Sequence, residues 1–180
     1  LDKMMTMEFK ENNEDVFLIG GSDNYKNGWM GQSLFAREIF NIEEGAPPPV
    51  KLSKERSNSI FIREIINNSL INSCHDVSDG GIAICLVEMA MASEIGFTLK
   101  VNHNISNAWL FGEDQGRYII SCKNNLSSEI IDIAKSDEIR IHKIGKTGGK
   151  YISFSDNTRI EIDELNNIHK SWLPNYMSNK

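Results

Sequence analysis

The stretch His75-Asp76-Val77-Ser78-Asp79-Gly80-Gly81 decides how the rest of this chain is read. Before it stands Leu70-Ile71-Asn72-Ser73-Cys74, short and apolar enough for a buried strand. After it comes Ile82 to Met91, in which Glu88 is the only charge. Two carboxylates, a hydroxyl and an imidazole are thus packed into a strand-to-helix turn that ends in two glycines. Such a turn aims helix-start N–H groups at the loop mouth, where they and the helix dipole favour an anion. The aspartates either cap the following helix, with Asp79 at Gly80, or hold a metal beside a phosphate. Spacing alone admits both.

Working outward, the run Ile82 to Ile95 carries only Glu88 and Glu94 as charges. A helix apolar nearly all round belongs in the centre of a domain, and Gly96 is placed to end it as a left-handed C′ residue. Phe97 to Val101 alternates as a strand. Upstream, Val16-Phe17-Leu18-Ile19 is a strand closed by Gly20-Gly21-Ser22, and Leu34, Phe35 and Ile39 mark one face of a helix within Gly31 to Phe40. Gly45-Ala46-Pro47-Pro48-Pro49 breaks the chain as a rigid extended connector. Ser53 is positioned to cap a helix from Lys54 to Ile71. Its stripe Phe61, Ile62, Ile65, Ile66 and Leu70 faces a core, with Lys54, Glu55, Asn58 and Glu64 turned away.

Downstream, Leu110-Phe111-Gly112-Glu113-Asp114-Gln115-Gly116 reads as a second polar turn and Arg117 to Cys122 as a buried strand. Leu126 to Ala134 is helical and Ile139 to Gly145 a strand. Tyr151–Phe154 and Arg159–Ile162 form a hairpin about Asp156-Asn157. Asp163 caps a last helix, Glu164 to Trp172, with Pro174 beyond it. Four or five helices and six strands alternate irregularly. That pattern implies an α+β fold, a mixed β-sheet layered with helices, in a single domain spanning 1–180.

Composition narrows the function. A net charge of -6 leaves no basic stripe for nucleic acid. No run of 18 apolar residues is present, so a membrane span is not expected. Three cysteines (Cys74, Cys85, Cys122) without CxxC or zinc-like spacing read as buried thiols in a reducing cytoplasm. The first residues, Leu1-Asp2-Lys3-Met4-Met5, lack a signal-peptide core, and a start other than Met points to a piece of a longer chain.

Glu113-Asp114-Gln115 before Gly116-Arg117 could hold a ribose, a phosphate or Mg²⁺ through oxygens, or could simply be a solvated turn. Gly20-Gly21-Ser22 is not a dinucleotide fingerprint. Gly145-Lys146-Thr147-Gly148-Gly149-Lys150 lacks phosphate-loop spacing. The residues by themselves reach an α+β domain with two acidic, glycine-containing turns and no reaction.

Taken together, four stretches resemble the synthetase (PurL-type) chain of phosphoribosylformylglycinamidine synthase. They are Leu18-Ile19-Gly20-Gly21-Ser22, Gly45 through Val50 with Glu55, His75 to Gly81 with Glu88-Met89-Ala90, and Leu110 to Arg117. Lys51 stands where that family usually has an acidic residue, and serines are usual near Gly112 and Asp114. The resemblance implies the C-terminal domain of an enzyme related to aminoimidazole ribonucleotide synthetase. The whole enzyme converts formylglycinamide ribonucleotide, ATP and glutamine-derived ammonia to the amidine, in the cytoplasm, with Mg²⁺. It further implies a pseudo-symmetric site that holds a nucleotide without turnover. Asp76, Asp79, Gly80, Gly81, Glu113, Asp114 and Gln115 are its candidate contacts. Catalytic and metal-binding residues are expected in earlier domains, so this chain alone is expected to be catalytically silent. The implied partners are those domains, a glutaminase subunit and a small accessory subunit, with self-association of the isolated chain through an uncovered apolar face. Two other readings are a scaffold or interaction module, and a related synthetase of the same fold such as selenophosphate synthetase.

Overall fold

The computed structural model describes residues 3–101, 104–155 and 158–178. Seven strands form one sheet: β1 (Asp15–Ile19), β2 (Ser73–Asp76), β3 (Phe97–Leu99), β4 (Tyr118–Cys122), β5 (Ile141–Thr147), β6 (Tyr151–Ser155) and β7 (Thr158–Glu161). Their order across the sheet is β2-β4-β1-β5-β3-β6-β7. Every pair is antiparallel except β3 with β6, which makes the sheet mixed. Six helices cover it: α1 (Leu34–Phe40), α2 (Leu52–Asn67), α3 (Gly81–Ser93), α4 (Asn107–Phe111), α5 (Ser127–Ser136) and α6 (Ile162–Ser178). The expected α+β class holds, with one strand and one or two helices more than the residue patterns count.

The unbroken apolar run of β1 follows from its place at the centre. Val16 and Leu18 enter a core with Ile82, Leu86 and Met89 of α3 and with Trp109 of α4. Phe17 and Ile19 point the other way, into a core with Phe61, Ile62 and Ile65 of α2 and Ile130 of α5. Successive side chains in a strand face opposite sides, so a strand buried on both must be apolar throughout. Burying one such side chain contributes roughly 1.5–3 kcal/mol, and all four are fully buried.

Two carboxylates are buried at the start of β1, each with its own set of partners. Glu14 and Asp15 are each 2% exposed. Glu14 accepts hydrogen bonds from Ser121 Oγ and Asn72 Nδ2, and Asp15 from Ser127 Oγ and the Lys143 ammonium. A buried carboxylate requires such partners. At the β2 rim, the Cys74 N–H donates to the Thr6 carbonyl, so the N-terminal segment touches the outermost strand there, while Phe9 is buried further across the sheet, stacked on Phe97 of β3.

Several local expectations are corrected. The first turn of α2 begins at Leu52, and its N-cap is Lys51 with no side-chain bond; Ser53 lies inside the helix instead of capping it. Asn58 does not face away. It is 8% exposed, one turn ahead of Phe61, Ile62 and Ile65 on the same buried face. The left-handed residue ending α3 is Glu94, at φ 58, and Gly96 is needed for space, since a Cβ there would sit 2.3 Å from the Tyr151 carbonyl. The last helix begins at Ile162 and runs through Pro174 to Ser178. Pro174 lies inside this helix, where it removes the bond to the Lys170 carbonyl and crowds that carbonyl with its ring, a local cost borne in an exposed last stretch. The expected Asp156-Asn157 turn lies outside the described residues.

Candidate functional site

The two acidic turns predicted from sequence meet in space. A cavity of about 320 Å³ is lined by Asp76, Ser78 and Asp79 of the first, Glu113, Gln115 and Arg117 of the second, with Glu55 of α2 and Pro48 of the connector. A neighbouring cavity of about 210 Å³ shares Glu55, Gln115 and Arg117 and reaches Gly20, Gly21, Lys51 and Arg140. Four stretches far apart in sequence therefore converge on one groove: the loop after β1, the proline connector with the start of α2, the turn from β2 to α3, and the turn from α4 to β4.

Glu113 does work that the sequence assigns to Asp79. The N-cap of α3 is Gly80, at φ 76, with no side-chain cap of its own, and Asp79 makes no hydrogen bond among the described residues. Glu113 reaches across 33 positions, and its Oε1 accepts the Gly80 N–H at 2.8 Å. The same oxygen accepts the Leu34 N–H at 2.7 Å, at the start of α1. One carboxylate thus satisfies orphan donors at two helix starts. Asp79 is left exposed, with its carboxylate at the groove mouth.

Both glycines of the turn are required by geometry. Gly81 lies at φ 69, and a Cβ there would come within 2.6–2.8 Å of Gly112 O, Leu110 O and Phe111 C. Gly80, at φ 76, would meet Ile84 at 2.3 Å. Both conformations are ones that L side chains rarely adopt. Gly81 therefore allows the two turns to pack backbone against backbone, and Gly80 leaves room for the Ile84 side chain of its own helix.

Asp76 accepts from the Ser78 hydroxyl at 2.7 Å and faces His75 Nδ1 at 3.4 Å. The Ser78 hydrogen bond, with help from the His75 charge, holds this carboxyl below the usual range despite some burial. His75 turns its other nitrogen to Glu88 Oε2 at 3.1 Å, tying the turn to α3 rather than presenting a base to the cavity. In the second turn, Asp114 Oδ2 accepts the Trp29 N–H at 3.0 Å and lies 3.7 Å from Arg117 Nη1. Arg117 is 5% exposed; its Nε donates to the Asp114 carbonyl and its Nη2 to the Gly112 carbonyl. Burial lowers its pKa, against the opposing charges of Asp114 and Glu113. Gln115 is exposed and bonds only weakly, at 3.4 Å, to the Glu113 carbonyl.

The candidate residues divide accordingly. Asp76, Asp79 and Gln115 present side-chain atoms to the groove; Gly80, Gly81, Glu113 and Asp114 shape it. No group of three His, Cys, Asp or Glu side chains that could hold a metal ion exists among the described residues. Sequence reasoning missed Asn58, which donates to the Gly116 carbonyl at 2.8 Å beside Gly20. The available signal was its place in the apolar stripe of α2. It also passed over Lys54 and Arg140, whose relevance depends on the sheet bringing β5 beside the loop after β1.

A sequence model of the AIR synthase related protein, C-terminal domain, matches residues 12–155. The chain belongs to this family. A protein of Rhodospirillum rubrum named phosphoribosylformylglycinamidine synthase subunit PurL is 36% identical over 178 residues, covering 99% of this chain and 24% of that protein. A Rhodopseudomonas palustris protein of the same name is 39% identical over 180 residues, with the same coverage. The chain spans about a quarter of the length of these relatives. Among solved structures, Thermotoga maritima PurL complexed with FGAR superimposes with a TM-score of 0.74 at 14% identity, over 92% of this chain and 30% of that one. Escherichia coli HypE, a hydrogenase maturation protein, matches with a TM-score of 0.57 at 13% identity, over 88% and 51%. These two likenesses concern the fold.

Proposed function

We propose that this chain is the C-terminal domain of a phosphoribosylformylglycinamidine synthase, and serves an ATP-dependent ligase of purine biosynthesis. Identity of 36–39% through 99% of the chain to relatives bearing that name carries the reading. The full enzyme would join ammonia from glutamine to formylglycinamide ribonucleotide, with ATP and Mg²⁺, in the cytoplasm. Solved relatives are described as PurL complexed with ATP and as PurLQS, which supports a nucleotide and partner subunits, among them a glutaminase, for the whole assembly.

In this domain the groove would hold a nucleotide without turnover, at Asp76, Asp79, Gly80, Gly81, Glu113, Asp114 and Gln115. Any Mg²⁺ would arrive on the phosphates, because the described residues offer no metal cluster. A scaffold role is favoured by a different observation: Glu113 and Asp114 already accept backbone donors. Calorimetric titration with ATP–Mg²⁺ separates the two. Saturable heat supports a ligand site, and its absence supports the scaffold. Ile168, Trp172, Leu173, Tyr176 and Met177 on α6 are 50–63% exposed. They support self-association of the isolated chain, which sedimentation velocity would detect.

The activity itself is tested by substituting this chain for the aligned segment of the Rhodopseudomonas palustris relative. The chimera should release ADP only when formylglycinamide ribonucleotide and ammonia are both present. A folded chimera without that activity would refute the assignment. The isolated chain should turn over no ATP under the same conditions.

A further inference from the structure

We propose that Lys51, Lys54 and Arg140, around the Gly20-Gly21-Ser22 loop, form a subsite for the 5′-phosphate of a ribose. The inference rests on the reading of the groove as a ligand site and adds the direction in which the ligand lies.

The chain as a whole carries a net charge of -6, yet the smaller cavity is lined by four cationic groups, Lys51, Lys54, Arg117 and Arg140, against Glu55 and Asp114. Asp114 is committed to the Trp29 amide and to Arg117. Arg140 meets Asp23 at 3.4 Å in an exposed pair. Lys51 and Lys54 have no ion pair among the described residues. Both stand at the start of α2, Lys51 as N-cap and Lys54 in the first turn, where the positive end of the helix dipole disfavours cations. Two unneutralised ammonium groups are thus held at the wrong end of a 16-residue helix, facing a cavity. A phosphate seated there would answer both ammonium charges and the helix dipole.

The loop opposite supplies uncharged donors. Gly20 is held at φ +77, with its N–H bonded to the Arg140 carbonyl. The next amides, of Gly21 and Ser22, donate to no acceptor among the described residues. Trp109 also lines this cavity; it is 1% exposed, and its indole Nε1–H has no partner.

The larger cavity has the opposite character. Glu55, Asp76, Asp79 and Glu113 line it, with only the buried Arg117 as a positive charge. Carboxylates suit ribose hydroxyls or a phosphate-bound cation and repel a bare phosphate. The groove is therefore polarised: phosphate at the Lys51–Arg140 end, hydroxyl-bearing sugar towards Asp76 and Asp79.

The test uses the whole chain with ribose 5-phosphate, ADP and adenosine as probes, followed by amide chemical shifts and calorimetry at low salt. Ribose 5-phosphate should bind saturably and move the Gly21 and Ser22 amides, and adenosine should leave them unmoved. ADP shifting the same amides would assign the phosphate to a nucleotide, and ribose 5-phosphate alone doing so would assign it to a phosphoribosyl compound. The exposed double substitution Lys51→Gln with Lys54→Gln should weaken binding at least tenfold without lowering the thermal midpoint. Arg140→Gln provides an independent variant. Unchanged affinity in both variants, or no binding of either phosphate at millimolar concentration, would overturn the subsite. Failure of the synthase reading would appear separately, as an inactive chimera.

Discussion

Glu113→Ala tests the reassigned helix cap directly. The substitution strips the acceptor from two amide donors, Leu34 N–H at 2.7 Å and Gly80 N–H at 2.8 Å. Hydrogen bonds to a charged acceptor contribute roughly 1.5–3 kcal/mol each. The site is only half-buried, so the lower end of that range applies and the loss should be about 3 kcal/mol. Glu113→Gln keeps an acceptor oxygen and loses the charge, which should limit the loss to about 1 kcal/mol. For a domain of this size each kcal/mol corresponds to roughly 2–4 °C, so the alanine variant should melt about 6–12 °C lower. Urea unfolding with an unchanged slope is the decisive assay, because a changed slope would signal a different native or unfolded state. Asp79→Ala is the internal control and should stay within about 0.5 kcal/mol of the parent chain. Glu113→Ala costing no more than Asp79→Ala would show that the long-range cap contributes nothing.

Three further outcomes are expected. Gly81→Ala, forced to left-handed φ against three backbone atoms, should lose about 3 kcal/mol or more. Gly149→Ala, also at positive φ but with nothing within 4 Å, should lose only about 1 kcal/mol, and comparable urea midpoints would contradict the close-approach argument. Burial by itself would raise the Asp15 carboxyl, but Lys143, Ser127 and Lys146 outweigh it and hold the pKa below the usual carboxylate value. A depressed folded pKa gives stability that is present above the unfolded value near 3.9 and lost as pH falls through the folded one. Asp15→Asn should therefore lower stability at pH 7 by about 2 kcal/mol and flatten its decline below pH ~4; an unchanged acid limb would refute this. Burial pushes the Cys74 thiol up to about 12, Cys122 up to about 11, and Cys85 up as well. Native protein at pH 7.5 should resist thiol reagents that label all three at once in urea; rapid native labelling of any one would show its environment to be misread.

The sequence exposed most of the architecture where burial alone determines the residues. A strand covered on both faces has no polar choice, so Val16 to Ile19 announces itself, and the near-uncharged Ile82 to Met91 does the same for the central helix. Errors gather where the partner of a residue is distant in sequence. Asp79 has the type and position of a cap, and no local rule says that a glutamate from another turn arrives first. Asn58 looks like a polar surface residue until the Gly116 carbonyl is placed beside it. Glu94 takes a left-handed conformation that glycine would adopt more readily, while Gly96 is reserved for contact with Tyr151. The groove was half legible. Its acidic end lies in two recognisable turns, whereas its basic end is assembled from α2, the loop after β1 and β5.

An open sheet of seven strands has two rims, and each could accept a strand from another molecule. At β7 that hazard is blunted by Arg159 and Glu161, charged and exposed, with Arg159 lying 4.9 Å over the Tyr151 ring. At β2 the protection comes from the chain before β1: the Thr6 carbonyl occupies the outward N–H of Cys74. The segment around Thr6 thus covers part of that rim. Trimming it would leave the Cys74 amide at the sheet rim without its acceptor, free to pair with another strand.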